Sequence, residues 1–188
     1  MRTLRPVLLA LTAVAALSFA CPAKANLITN PGFENGHDGW GDQFSVITFP
    51  AAAHSGNNFA AFVFNNDVAV QSVAATTGAT YTISFFASSV DVGQNGSGTL
   101  NATWGGTTVF SHLFSGTSGY AEYTFNVTAV SPSTSLAFFS SGMQSFFNIR
   151  LDDISMELAN GVPDGGTTVS LLGCALVGLA GLRRKLGC

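Results

Sequence analysis

Tyr81-Thr82-Ile83-Ser84-Phe85 alternates apolar and polar side chains with a period of two, the pattern of a strand buried on one face. Ala121-Glu122-Tyr123-Thr124-Phe125-Asn126-Val127 repeats it. Outward from these two, short apolar segments recur about every ten residues, each bounded by Gly, Asn, Ser or Pro. They cover 44–49, 59–64, 68–73, 80–87, 99–104, 107–114, 120–127, 135–139 and 146–158. Gly105-Gly106 separates two of them and fits a two-residue hairpin turn, where positive φ is needed. No helical period is sustained between Asn26 and Leu158. The spacing predicts an all-β fold, an antiparallel jelly-roll β-sandwich.

The same stretch bounds the chemistry. Residues 26–160 hold nine acidic side chains and one basic one, Arg150, for a net charge of −8. Nucleic acid is excluded as a partner, because its phosphates need Lys and Arg. Docking on anionic lipid is disfavoured for the same reason. A hard cation such as calcium suits this surface. The three cysteines, Cys21, Cys174 and Cys188, all fall outside the stretch, so no disulfide framework supports it.

Both ends carry targeting patterns. Arg2 and Arg5 precede an apolar run over residues 7–20, and Ala23-Lys24-Ala25 offers small residues where a signal peptidase reads. Residues 1–25 are therefore expected to be a signal peptide and Asn26 the mature start. The alternatives are a buried or membrane-spanning N-terminal helix, for which the run is short, and acylation at Cys21, although no leucine stands three positions before it. At the other end Val162-Pro163-Asp164-Gly165-Gly166 closes a linker and motif over 159–166. An apolar run over 167–182 comes next, expected to be a single transmembrane helix. As a helix it would be about 24 Å long, short of a core of about 30 Å, and snorkelling cations could bridge the gap. Arg183-Arg184-Lys185 begins a basic tail over 183–188, whose charge favours the cytoplasmic side. This leaves the sandwich, 26–158, as an ectodomain.

The C-terminal pattern resembles the PEP-CTERM class of bacterial sorting signals in its VPDSG-type variant, carried by Val162, Pro163, Asp164, Gly165 and Gly166 and by Arg183, Arg184 and Lys185. Gly165 stands where that variant commonly has Ser. Neither Cys174 nor Cys188 belongs to the motif. The resemblance implies an exosortase-like membrane transpeptidase that cuts at the motif. It also implies a destination at the cell surface or extracellular matrix, among exopolysaccharide.

A second resemblance covers most of 26–158. Asn26-Leu27-Ile28-Thr29-Asn30-Pro31-Gly32-Phe33-Glu34, followed by Gly39-Trp40, resembles the opening of galactose-binding-like jelly rolls. Carbohydrate-binding modules of the family 4/9 type begin similarly. His54-Ser55-Gly56-Asn57, the strand from Gly78 to Phe85, and Leu151-Asp152-Asp153-Ile154-Ser155 resemble later parts of that pattern, in order. The resemblance implies a structural calcium held by Glu34, Asp152 and Asp153, with backbone carbonyls near Ser55-Gly56. The plainer reading is that the two aspartates cap a strand end and pair with Arg150.

Trp40, Trp104, Tyr81, Tyr120 and Tyr123 are the side chains able to stack on sugar rings. Strand aromatics more often fill a sandwich core. Trp104, beside the glycine turn, is the best placed for exposure, with Trp40 the second candidate. Catalysis has little to stand on. The histidines His37, His54 and His112 lack zinc-site spacing, and no nucleophile-elbow, Walker or dinucleotide pattern occurs. A glycosidase needs two carboxylates held across a cleft. The expectation is an exported, non-catalytic surface or matrix protein. The alternatives are a carbohydrate-binding module contacting exopolysaccharide and, as a third reading, a glycan hydrolase.

Overall fold

Among the described residues nine antiparallel strands build the domain: β1 Ser45–Thr48, β2 Asn58–Phe62, β3 Val68–Ala74, β4 Thr80–Asp91, β5 Ser97–Trp104, β6 Thr107–Ser115, β7 Ser118–Thr128, β8 Ser133–Ser141 and β9 Phe147–Leu158. The computed structural model describes residues 25–41, 43–93 and 95–159. The expected signal peptide up to residue 24, the sorting motif, the apolar run and the basic tail lie outside the described residues. The strands form a five-stranded sheet, β1-β2-β9-β4-β7, and a four-stranded sheet, β3-β8-β5-β6. All connections except β1–β2 and β5–β6 pass from one sheet to the other, so the sandwich is of the jelly-roll kind expected.

The period of two assigns the faces. On β4, Tyr81, Ile83, Phe85 and Ala87 are buried between the sheets. Phe147, Ile149, Leu151, Ile154 and Met156 of β9 meet Leu100, Ala102 and Trp104 of β5 and Leu136 and Phe138 of β8 in one core. Phe85 lies at its centre, edge-on to Phe110 and Phe138. The β5–β6 turn is the two-residue hairpin anticipated: Trp104 pairs with Thr107, and Gly105 and Gly106 have φ of 58° and 82°. The N-terminal segment docks on β9. Leu27 N–H donates to Met156 O, and the Asn26 side chain donates to Ile154 O and accepts from Met156 N–H.

The alternation on β9 breaks once. Phe86 of β4 pairs with Asp152, whereas Ser84 pairs with Ser155, so β9 carries an extra residue between them. Asp153 sits in this β-bulge with φ of 48°. A bulge shifts the side-chain phase and re-aims the side chains around it.

Most strand ends differ from the sequence expectation by one to four residues, and two of the differences have a visible cause. β2 stops at Phe62 because the Asp67 carboxylate accepts from the N–H groups of Val63 and Phe64, at 2.7 and 2.9 Å, and draws them into a turn. β9 starts at Phe147, since Phe146 has φ of 63° and cannot join the ladder.

Candidate functional site: three carboxylates around one loop

The bulge aims two successive carboxylates at residues 54–58. Asp152 is fully buried. Its Oδ2 accepts from the backbone N–H groups of His54 at 2.9 Å and Ser55 at 3.3 Å, and its Oδ1 accepts from Asp153 N–H at 2.8 Å. Ser55 Oγ donates to Asp153 Oδ1 at 2.7 Å, and His54 Nδ1 lies 2.6 Å from Asp153 Oδ2. Glu34 closes the far side of the loop, its Oε1 accepting from the N–H groups of Asn57 and Asn58 at 2.8 and 2.9 Å.

Glycine is needed at one point of this ring and leaves room for the carboxylates at a second. A Cβ on Gly56, whose φ is 62°, would collide with the Glu34 carboxylate. A Cβ on Gly32 would stand 3.3 Å from Asp153 Oδ1 and 3.4 Å from Asp152 Oδ1. Glu34, Asp152 and Asp153 therefore converge on one loop from chain positions more than a hundred residues apart.

Their electrostatics differ. Burial, then the neighbouring Asp153 carboxylate, pushes the Asp152 carboxyl up to about 6. The N–H groups of Asn58 and Asn57 hold the Glu34 carboxyl below its ordinary value. Arg150 does not pair with the aspartates. Its guanidinium lies 5.1 Å from the Phe59 ring centroid, a cation–π contact.

A hard cation can be tested against this ring. Calcium takes six to eight oxygen ligands, and three carboxylates supply them in kind. Asn58 adds a buried Oδ1 without a hydrogen-bond partner. The donor chemistry fits. As they stand, however, the carboxylate oxygens are aimed at N–H and O–H groups. Among the described residues no group of three or more His, Cys, Asp or Glu is spaced to hold a metal ion.

Beside the loop, the His54 ring stacks on Phe86 with centroids 3.7 Å apart, and Tyr120 meets His54 edge-on at 5.3 Å. The Tyr120 hydroxyl donates to Ala52 O, and burial raises its pKa to about 12. These rings sit on the outer face of the five-stranded sheet. Nothing in the sequence pattern singled out Phe86, because its partner His54 comes from a remote loop.

Neither tryptophan is a platform for sugar, which corrects the expectation for both. Trp40 is 5% exposed and Trp104 6%. Their indole N–H groups donate inward, to Asn30 O at 3.1 Å and Thr128 O at 3.0 Å. A buried indole needs such an acceptor, and the strand phase of Trp104 points it into the core. Tyr81 is also buried, while Tyr123 joins Phe110, His112 and Phe114 in the seam between edge strands β6 and β7. A shallow cavity of about 230 Å³ opens on that seam.

Comparisons with known proteins agree with both halves of this picture. Residues 161–186 match the VPDSG-CTERM motif. The chain thus carries a VPDSG-CTERM motif behind an all-β, carbohydrate-binding-module-like sandwich. Among solved structures, the sandwich is similar to TmCBM61 in complex with β-1,4-galactotriose, at 17% identity and a TM-score of 0.52, over 71% of this chain and 99% of that one. It is similar to the CBM22-1 xylan-binding domain from Paenibacillus barcinonensis Xyn10C, at 15% identity and 0.52, over 74% and 98%. It is also similar to part of the Agl-KA catalytic domain, at 14% identity and 0.51, over 73% of this chain but 28% of that one. At these identities the likeness is one of fold. No curated protein matches the sequence.

Proposed function

We propose that the protein is an exported, non-catalytic surface protein whose sandwich holds polysaccharide outside the cell. The observation that carries the reading is the VPDSG-CTERM motif at 161–186, directly following a sandwich of the carbohydrate-binding-module kind. In this reading residues 1–25 are removed on export. The run over 167–182 then holds the chain in the inner membrane, and an exosortase-like transpeptidase acts at Val162–Gly166. A non-catalytic role is supported by the state of the carboxylates. Asp152 is buried and Glu34 is committed to loop N–H groups, so neither resembles an acid or nucleophile facing a cleft.

Within this reading Glu34, Asp152 and Asp153 hold a structural calcium. The cation would offset the charge that burial makes costly at Asp152 and fix residues 54–58 against the sheet. The test of the function is retention of the purified protein by immobilised neutral and acidic polysaccharides. Retention by at least one, without release of reducing ends, is the expected result. No retention, or hydrolysis, would overturn it.

A further inference from the structure

Three connections at one end of the sandwich, β2–β3, β4–β5 and β8–β9, are brought together by the register. Phe62 of β2 pairs with Ile149, Asp91 of β4 pairs with Phe147, and Ser141 of β8 pairs with Thr99. These connections present Phe64, Val92 and Phe146 to solvent at 72%, 72% and 74% exposure. Exposed Asn65, Asn66, Asn95, Gln144 and Ser145 surround them.

Hydrogen bonds join these connections, and the backbone they hold costs free energy. Asn65 Oδ1 accepts from Met143 N–H at 2.7 Å, and Val92 N–H donates to Phe146 O at 3.2 Å, tying the connections to one another. Asn66, Asn95 and Phe146 all have φ above 60°. For a bulky side chain such as Phe146 that conformation is strained, and strain of this kind gathers at ligand-binding segments. A folding role would turn the Phe146 ring inward, yet it points to water.

Among the described residues the tip holds no cationic side chain, and its two ionisable groups are carboxylates. Asp67 bends back on Val63 and Phe64, and Asp91 accepts from Gly93 and Gly96 N–H at 3.0 and 2.7 Å, so both carboxylates serve their own turns. With no cation to pair with and a net charge of −8 over residues 26–160, this end repels an acidic polymer and suits an uncharged one. It lies at the opposite end of β9 from Leu158, where the chain continues toward the tail.

We infer that this tip is a binding site for a neutral polysaccharide. The Phe64 and Phe146 rings take apolar sugar faces, and the amides of Asn66, Asn95 and Gln144 take the hydroxyls. The inference rests on the glycan-holding reading above and adds the place and charge class of the ligand.

The test is affinity electrophoresis of the full chain through β-1,4-galactan, xylan and, as acidic control, alginate. The F64A/F146A double variant should lose at least about tenfold in affinity for the neutral polymer that retards the parent. Phe146→Gly removes both ring and strain, and is expected to raise the Tm while weakening retardation. Retardation unchanged in these variants, but lost in Phe86→Ala or Tyr120→Ala, would overturn the tip and leave the function standing. Retardation by alginate alone would overturn the neutral class. No retardation of the parent by any polymer would overturn both. A concentration-dependent mass that F64A/F146A abolishes, without glycan binding, would assign the tip to a second copy instead.

Discussion

The backbone N–H of His54 donates to the carboxylate of Asp152, a residue 98 positions away, at 2.9 Å. This bond fastens the β1–β2 connection to the bulge of β9. Among the described residues no cationic side chain pairs with the buried Asp152, since Arg150 nearby turns to Phe59. A charge in that position is costly unless a cation approaches or a proton is taken up.

Calcium should therefore stabilise the fold. At pH 7.5 the Tm is expected to rise by several degrees in calcium relative to chelator, and Asp152→Asn or Glu34→Gln should remove most of the rise. Equal midpoints for the parent with and without calcium would dismiss the cation.

The pH dependence has a definite sign. Asp152 titrates in the folded state at about 6, above its ordinary 3.8. Its contribution is complete below the unfolded value and lost as pH rises through about 6. In chelator, urea unfolding should give a fold on the order of 1 kcal/mol less stable at pH 7.5 than at pH 5. Glu34 acts oppositely, but its lowered value confines the loss to more acid solution, below its ordinary 4.5. Calcium should reverse the order of the two pH values, because only the ionised carboxylate binds it.

Gly56 should tolerate no side chain. Gly56→Ala places a methyl against Glu34 at φ of 62° and is expected to cost about 1–3 kcal/mol, read by thermal or urea melts. A neutral outcome would mean that the loop and Glu34 are not held together in solution.

Trp104→Ala should act on stability rather than on glycan affinity. Truncating a buried indole costs about 3–5 kcal/mol, and the Thr128 carbonyl loses its donor. Tryptophan emission of the parent should be blue-shifted and poorly quenched by iodide. Ready quenching would return the tryptophans to the surface.

How far the sequence could be read depends on the range of each interaction. All nine strands were legible because short apolar runs between turn residues, and the alternation of β4 and β7, are local signals, and Gly105-Gly106 announces its turn by backbone preference alone. The end of β2 was not legible, since it depends on which N–H groups the Asp67 carboxylate captures. Trp104 was misplaced because adjacency to a turn says nothing of strand phase. The convergence of Glu34, Asp152 and Asp153 came from family resemblance, not from pattern. The bulge that produces it is one inserted residue, visible only against β4. The apolar tip lies in the connections between strands, where periodicity carries no signal, and Phe64 and Phe146 looked like strand ends.

The most direct test of the account is the intact mass of the protein isolated from its own host. A species that begins at Asn26 and ends within Val162–Gly166 is the predicted result, reporting both export and cleavage at the motif. A mass that retains everything through Cys188 would contradict processing at the motif and make the chain a permanently tethered ectodomain.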